Sequence, residues 1–369
     1  LFVIGTIIYS CSLVKRVPSG KQLLSKNEII VNNESVSEER ITNLVVQQPN
    51  SNIAGFPLRL HLFNLAKKNT DSSYQAWLDK KPERRKQLKK WLSNKQVDRL
   101  GQSFFVGGMS NFLKKTGEAP VIVDSKKTQL SKERLSGFYY NSGYLKNEVS
   151  FVLDTLGKKR SKITYRVTTG KPYTIDSISR AIETPALDSL YTLDQNKSLL
   201  KTGAQYSYIN FDAERKRITQ QFRNSGVYHF QENHVKFEAI TNDSVQKMNV
   251  VLKIEDRNVK VGDTLIKKPF TIYTISQVNI FTNTTSNKEK NKAQDSTVYN
   301  NYNLFSSGRL DYKPKALTDA IFIEKGKLFS DTDRTLTSKA LSNLKMFNYP
   351  NIEYQQDQSD STNTSLIAN

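Results

Sequence analysis

Apolar and polar residues alternate along four short runs of the chain, which is the period of strands with one buried face. The runs form two pairs, and each pair is joined by a short turn that contains Gly, Asn, Asp or Ser. Each pair therefore predicts a hairpin with one face in a core and the other in water. The residues expected on the buried faces are Val149, Phe151 and Leu153 with Ile163, Tyr165 and Val167, and Val235, Phe237 and Ala239 with Val250, Leu252 and Ile254.

A helical pattern precedes each hairpin. Leu135 and Tyr139 are four residues apart, as are Ile218 and Phe222, so each pair lies on one apolar face of a helix. Both patterns end in Asn-Ser-Gly, and the glycine supplies the left-handed turn that ends a helix. The chain is then expected to return as a strand.

A nine-residue segment occurs twice without a gap. Residues 171–179 (KPYTIDSIS) match residues 268–276 (KPFTIYTIS) at six positions. Reading forward from each segment gives the order strand, helix, helix, strand, strand, which indicates an internal repeat. A third copy begins at Phe270, and its final strand is expected to be missing because residues 355–369 are polar and low in complexity.

The first copy is interrupted by a strongly basic stretch. Between Arg59 and Lys115 there are 14 Lys or Arg and four Asp or Glu, so half of the chain's net charge of +20 lies there. A solvated helical insertion that covers the domain accounts for this composition. The alternative is contact with anionic lipid headgroups or an acidic partner. The residues that would make this contact are Lys80, Lys81, Arg84, Arg85, Lys86, Lys89 and Lys90.

The N-terminal residues predict export. The apolar run over residues 1–9 has the length of a secretory signal's hydrophobic region and is too short to cross a bilayer as a helix. Ile8-Tyr9-Ser10-Cys11 resembles a lipobox, in which the cysteine receives lipid, although Tyr9 fits the pattern imperfectly. The alternative is a buried strand with an inert cysteine. With one Cys and three His in the chain, no intrachain disulfide, no metal centre and no cofactor are expected.

A repeated strand-helix-helix-strand-strand unit, with Gly after the second helix, resembles the POTRA domain of the BamA/TamA superfamily. Four segments narrow the resemblance to the lipidated TamL-like subgroup. They are residues 11–18 (CSLVKRVP), 55–60 (GFPLRL), 116–120 (TGEAP) and 312–317 (YKPKAL). The resemblance implies an α+β fold of tandem POTRA-like units, each a small three-stranded sheet backed by two helices, with a helical insertion in the first. It also implies a C-terminal barrel that this chain does not contain.

The resemblance divides the chain into a lipoprotein signal (1–11), a tether (12–26) and three POTRA-like units. The first unit spans 27–170 with the insertion at about 49–118, the second spans 171–257, and the third spans 268–369 and is incomplete. Residues 169–172 and 267–269 are expected to be semi-rigid joints. The expected location is the periplasmic face of the outer membrane, with lipid attached at Cys11.

The function implied is capture of unfolded outer-membrane proteins by strand addition and their delivery to a barrel, with a TamB-like protein as a further partner. The edge residues expected to bind clients are Val149, Phe151, Leu153, Val235, Phe237 and Ala239. A lipid-anchored peptide-binding or spacer scaffold without a barrel is the alternative.

Two other classes of function are disfavoured. An enzyme is not expected, because no phosphate loop or nucleophile elbow is present, and His229 and His234 are assigned to opposite faces of one strand. A nucleic-acid partner is not expected either. The abundant aromatic residues alternate with apolar ones inside strands, so a role in cores explains them better than base stacking.

Overall fold

The computed structural model describes residues 13–68, 70–100, 104–282, 295–345, 347 and 350–369. The chain divides into two units, one that ends at Lys171 and one that starts at Pro172. The first unit holds one sheet and a helical insertion, and the second holds two sheets and a separate hairpin.

The sheet of the first unit has the order β2-β1-β4-β3. Its strands are β1 (Leu23–Val31), β2 (Glu34–Ser35), β3 (Glu148–Thr155) and β4 (Arg160–Thr168). β1 is parallel to β4, and the other two pairings are antiparallel. Two helices, α1 (Glu39–Thr42) and α7 (Ser125–Asn141), supply the second layer. The core contains the predicted inward residues Leu135, Tyr139, Ile163, Tyr165 and Val167.

In the described residues of the insertion, five α-helices lie between α1 and α7. They are α2 (Leu58–Leu65), α3 (Thr70–Asp79), α4 (Pro82–Lys89), α5 (Asn94–Arg99) and α6 (Phe104–Thr116). Its two ends meet, because the Glu118 N–H donates to the Arg59 carbonyl at 2.9 Å. A Cβ on Gly117 would stand 2.6 Å from the backbone nitrogen of Phe63, so only glycine permits this approach. A helical insertion in the first unit is therefore present.

The segment from Leu13 to β1 differs from the expected tether. Val17 is buried with Leu23 and with Leu60 of α2. The guanidinium of Arg16 lies 5.0 Å from the ring centroid of Phe63 and also donates to the backbone of the insertion. The segment is packed because its few apolar residues meet apolar residues of the insertion, which lie far away in sequence.

The second sheet has the order β5-β7-β6, with β5 (Thr174–Ile182) parallel to β7 (Lys247–Ile254) and β6 (Lys236–Asn242) antiparallel to it. Its helices are α8 (Pro185–Leu193) and α9 (Tyr208–Asn224). Ile218 and Phe222 of α9 are fully buried, as their spacing predicts. The separate hairpin of β8 (Arg257–Val261) and β9 (Thr264–Lys268) follows.

The third sheet has the order β11-β12-β10-β14-β13. Its strands are β10 (Thr274–Thr282), β11 (Asp295–Tyr299), β12 (Tyr302–Ser306), β13 (Tyr354–Gln356) and β14 (Ser365–Ala368), and its helices are α10 (Pro314–Thr318) and α11 (Asp331–Asn343). The expectation that the final strand is missing is wrong, because β14 pairs with both β10 and β13. Leu366 and Ala368 alternate into the core, a pattern too short to stand out in a polar tail.

The gapless match between residues 171–179 and 268–276 is out of structural register by three residues. Gly203 N–H donates to the Ile175 carbonyl at 2.7 Å, and Gly326 N–H donates to the Ile275 carbonyl at the same distance. Ile175 therefore corresponds to Ile275, not to Ile272, which packs against the second core. The sequence match chose the wrong partner because Thr-Ile occurs twice, at 271–272 and 274–275.

All three first strands share one irregularity. The register shifts between Leu24 and Lys26 in β1, and at the corresponding places in β5 and β10. Each sheet also places its first strand parallel to its last, with the second helix between them in sequence. The predicted α+β class is confirmed. The order strand, helix, helix, strand, strand and the expected three-stranded sheet hold without change in the second sheet, whereas the first sheet has one extra strand, β2, and the third has two, β11 and β12, before the helices.

Candidate functional site

β3 is an open edge of the first sheet. Within the described residues it pairs with β4 alone. The Leu156 N–H donates to the Arg160 carbonyl at 2.8 Å, so alternate residues counted back from Leu156 turn their backbone groups toward β4. The N–H and C=O groups of the intervening residues point to the open side. These residues are Val149, Phe151, Leu153 and Thr155.

β3 lacks the lysine and proline that most often protect a sheet edge, although it carries two acidic residues, Glu148 and Asp154. Sheet edges are usually shielded by Lys, by Pro or by short strand length, whereas β3 has eight residues and contains neither Lys nor Pro. Three consecutive apolar side chains, Phe151, Val152 and Leu153, are 38%, 42% and 45% exposed. The strand therefore combines unpaired backbone groups with accessible apolar surface.

A groove of about 580 Å³ lies between β3 and α7. Residues three and four apart on α7 form one wall, because such residues are neighbours on a helix surface. Leu130 and Phe151 give the groove an apolar floor, while Lys126 and Glu133 place opposite charges at its rim. Asp124 fixes the start of this wall, because its carboxylate accepts hydrogen bonds from the N–H groups of Lys126 and Lys127.

β6 is the corresponding edge in the second sheet. Gln246 accepts a hydrogen bond from β5, so even-numbered residues of β7 face β5 and odd-numbered ones face β6. By the register of the β6–β7 pair, the backbone groups of Phe237, Ala239 and Thr241 point to the open side. Unlike β3, whose charged residues are the acidic Glu148 and Asp154, this strand carries a lysine, Lys236, beside the acidic Glu238.

The groove beside β6 is filled. The ring of Phe211 on α9 packs edge-on against Phe237 at 5.1 Å between centroids. The Arg215 guanidinium lies 5.9 Å from the Phe237 ring, and its Nε donates to the Val235 carbonyl at 3.0 Å. Aligning the two helices at their Asn-Ser-Gly ends places Thr128 opposite Phe211. The first sheet therefore has no aromatic ring at the position from which Phe211 covers Phe237.

We compared this chain with known protein families, curated proteins and solved structures. No protein-family model and no curated protein matches the chain. Its structural neighbours are POTRA domains. The chain is similar to POTRA domains 3–5 of BamA from Haemophilus influenzae, with 11% identity over 96% of this chain and 98% of that one and a TM-score of 0.37. It is also similar to POTRA domains 1–3 of Omp85 from Anabaena, with 8% identity over 95% of each chain and a TM-score of 0.25.

A third similar structure is CdiB from Escherichia coli, with 10% identity over 68% of this chain and 32% of that one and a TM-score of 0.22. The strand order and connectivity of this chain define its fold independently of these matches.

Val235 differs from its predicted place in an edge strand. β6 begins one residue later, at Lys236, and the Val235 side chain is buried in the second core. Burial removes this side chain from contact with a client. Phe237 and Ala239 lie in the strand as expected, and Phe237 is half-buried under Arg215.

The loop after α9 joins the second sheet to the third. Arg223 donates from Nη1 to the carbonyls of Tyr228 and Phe230, at 2.9 and 3.0 Å, and from Nη2 to Asp331 at 2.7 Å. The Tyr273 N–H donates to the Gly226 carbonyl at 2.8 Å. Sequence reasoning missed this junction, because it expected only a semi-rigid joint at residues 267–269.

The two histidines lie in this region and not on one strand as predicted. His229 follows Tyr228 in the loop, and His234 ends a short 3-10 turn. Partial desolvation by the loop, together with the nearby charges of Arg257 and Arg223, lowers the pKa of His229 to about 4, although one side of the ring remains exposed to solvent. Among the residues that the structure describes, no group of three or more His, Cys, Asp or Glu is arranged to hold a metal ion.

The seven predicted basic residues fall into two groups. Arg84 and Arg85 are used within the insertion: the Arg84 guanidinium lies 4.5 Å from the Trp77 ring centroid, and Arg85 forms an ion pair with Asp98 at 2.9 Å. The other five are exposed lysines on or next to α4, at positions 80, 81, 86, 89 and 90. In the described part of the chain, no ion pair involves them.

Cys11 and the signal region lie outside the described residues. Within the residues that are described, no helix is both long enough and apolar enough to cross a bilayer.

Proposed function

We propose that this chain is the periplasmic POTRA portion of an outer-membrane assembly or translocation factor, and that it captures unfolded outer-membrane proteins by strand addition at β3. The three sheets with their helices serve as three POTRA-like units, and delivery to a barrel follows capture. Acylation of Cys11, suggested by the sequence Ile8-Tyr9-Ser10-Cys11, anchors the chain to the membrane. A TamB-like protein is a further partner in this proposal.

The open edge of β3 beside an open groove is the observation that supports this proposal. A strand added to β3 gains main-chain hydrogen bonds from residues 149–155. Such pairing requires an extended backbone in the client but no particular sequence. Alternate side chains of the added strand point toward α7, where Leu130 and Phe151 offer apolar surface. Outer-membrane barrel strands alternate apolar and polar residues, so they meet both requirements.

Of the two edges compared within the described residues, β3 combines the two features and β6 does not. In the second sheet, Phe211 and Arg215 occupy the place that an added strand's side chain would take beside Phe237. We therefore assign capture to β3 and not to β6.

The test replaces Leu153 by Pro. The Leu153 N–H points to the open side, so the substitution removes a donor for the client and leaves the hydrogen bonds to β4 in place. We expect at least fivefold weaker binding of a labelled barrel-strand peptide, measured by fluorescence anisotropy, since one net hydrogen bond contributes about 1 kcal/mol. Leu153→Ala keeps the donor and separates loss of the backbone group from loss of the side chain.

Thr241→Pro is the matched control, because Thr241 has the same orientation on β6. It should leave peptide binding unchanged, and circular dichroism should show both Pro variants folded. Equal binding by Leu153→Pro and the unmodified chain would rule out strand addition at β3. Weaker binding by Thr241→Pro alone would move the site to the second sheet.

A further inference from the structure

The exposed tryptophan of the insertion is unlike the other apolar residues around it. Leu88 and Leu92 pack onto a small core of Tyr74, Leu78 and Val97, which holds α3, α4 and α5 together. Trp91 lies between these two leucines in the turn after α4, and it is 90% exposed. The core thus fixes the turn while the largest apolar side chain in it points into solvent.

The surroundings of Trp91 are cationic. Lys89 and Lys90 precede it, and no residue of α4 is buried, so the lysines on this helix are solvated. Over residues 80–90 there are seven Lys or Arg and one acidic residue, Glu83. An indole ring with an apolar body and a polar N–H, flanked by lysines, is the composition found at membrane–water interfaces.

In this cluster the arginines are paired within the insertion and the lysines are exposed, which favours lipid over an acidic protein as the partner. Arginine is the residue suited to bidentate pairing with carboxylates, and both arginines of the cluster already have partners within the insertion, the Trp77 ring and Asp98. The exposed residues are lysines, whose compact and mobile charges act through the average potential of an anionic surface.

We propose that Trp91, together with Lys80, Lys81, Lys86, Lys89 and Lys90, forms a docking surface for an anionic lipid bilayer. The lysines attract the surface through the negative headgroups, and Trp91 enters the interfacial layer. This contact is separate from client capture at β3.

Fluorescence of Trp91 provides a direct test, because the chain contains only two tryptophans. The probe is the full chain with Trp77→Phe and with Cys11→Ser, so that acylation cannot attach it to lipid. We expect a blue shift of Trp91 emission with vesicles of phosphatidylethanolamine and phosphatidylglycerol, and none with phosphatidylcholine vesicles. Raising the ionic strength should weaken the association, since salt screens exposed charges.

Charge-neutral variants measure the lysine contribution. Lys89→Gln with Lys90→Gln should weaken binding to the phosphatidylglycerol vesicles roughly 30-fold, because each basic residue near an anionic surface contributes about fivefold. Lys325→Gln with Lys327→Gln removes the same charge from exposed positions in the loop between α10 and α11 and should leave binding unchanged.

Three results would overturn the proposal. They are an unchanged Trp91 spectrum with every vesicle, an equal shift with phosphatidylcholine vesicles, and equal losses for the two lysine pairs. A shift with poly-glutamate but not with vesicles would also overturn it, and would assign the surface to an acidic polypeptide.

Discussion

Replacing Arg223 by Ala tests whether the second and third sheets behave as one body. Arg223 lies at the end of α9 and reaches three acceptors, two in its own loop and one on α11. Its guanidinium also lies 5.4 Å from the ring centroid of Phe329, which is fully buried. The side chain therefore joins the helix of one sheet to the helix of the next.

The expected cost follows from these contacts. Two carbonyl groups lose a donor, at about 1 kcal/mol each, and the partly buried ion pair with Asp331 adds about 1 kcal/mol, for a total of ~3 kcal/mol. Asp331 keeps Arg334 at 3.1 Å, which limits the cost. Arg223→Lys keeps the charge but loses the guanidinium fork, so it should recover only part of the loss. Asp331→Asn removes the charge that pairs with Arg223 and Arg334 but keeps an acceptor oxygen, and should cost about 1 kcal/mol.

Native-state hydrogen exchange on the full chain is the suitable assay, because one global transition is not assured in a chain of several units. The key reporters are the Tyr273 N–H, bonded to Gly226, and the Thr332 N–H, bonded to Asn224. If the two sheets are coupled, Arg223→Ala lowers protection at both reporters and in β14. Protection that falls by less than about 1 kcal/mol at Tyr273, or that stays unchanged in β14, would refute the coupling.

Acid provides a second readout of the same contact. Burial alone would raise the pKa of Asp331, but hydrogen bonds and charges from Arg223 and Arg334 hold it below the usual range. Because the unfolded chain binds this proton at higher pH than the native chain, the stabilisation is complete above the ordinary Asp pKa and is lost as the pH falls through the lowered value. Arg223→Ala should reduce this acid dependence.

Two further predictions concern the same loop. Gly226 has φ +94°, and a Cβ there would stand 2.7 Å from a side-chain carbon, whereas Gly203 has φ +82° and open space around it. In denaturant unfolding, Gly226→Ala should therefore cost about 3 kcal/mol and Gly203→Ala about 1 kcal/mol. Equal costs for the two variants would contradict the close packing at Gly226. The side chain of His229 is exposed on one side, but desolvation and the nearby arginines lower its pKa from 6.5 to about 4, so stability should fall as the pH drops from 6.5 toward 4, where only the unfolded chain gains the proton. His229→Gln should flatten that dependence in unfolding curves, and an unchanged slope would assign it to another group.

Strand and helix features that repeat over a few residues could be predicted from the sequence. Alternation correctly predicted the buried residues of the inner strands β4 and β7. On the edge strands it was wrong for Phe151, Leu153 and Ala239, which are exposed because no further strand or helix of the described chain covers them. The helix ends at Gly143 and Gly226 both have the positive φ that glycine allows. These signals are local, since each depends on residues within one or two turns of the chain.

Features that depend on distant contacts were not predictable. Val17 becomes core only because α2 folds onto it, and Leu366 only because β10 offers an unpaired side. The contrast between Phe211 on α9 and Thr128 at the aligned position of α7 is visible in the sequence. The effect of this contrast on the space beside each edge strand could be judged only from the positions of β3 and β6.

The meeting of the insertion's two ends has a consequence for modularity. Because Arg59 and Glu118 are joined by a hydrogen bond of 2.9 Å, the five helices leave and rejoin the domain at nearly the same point. The insertion can be lost or exchanged with only a short linker to bridge its two ends. Such a change leaves the spacing between β1 and α7 unchanged. The chain can therefore vary what it carries on this side while the unit beneath keeps its architecture.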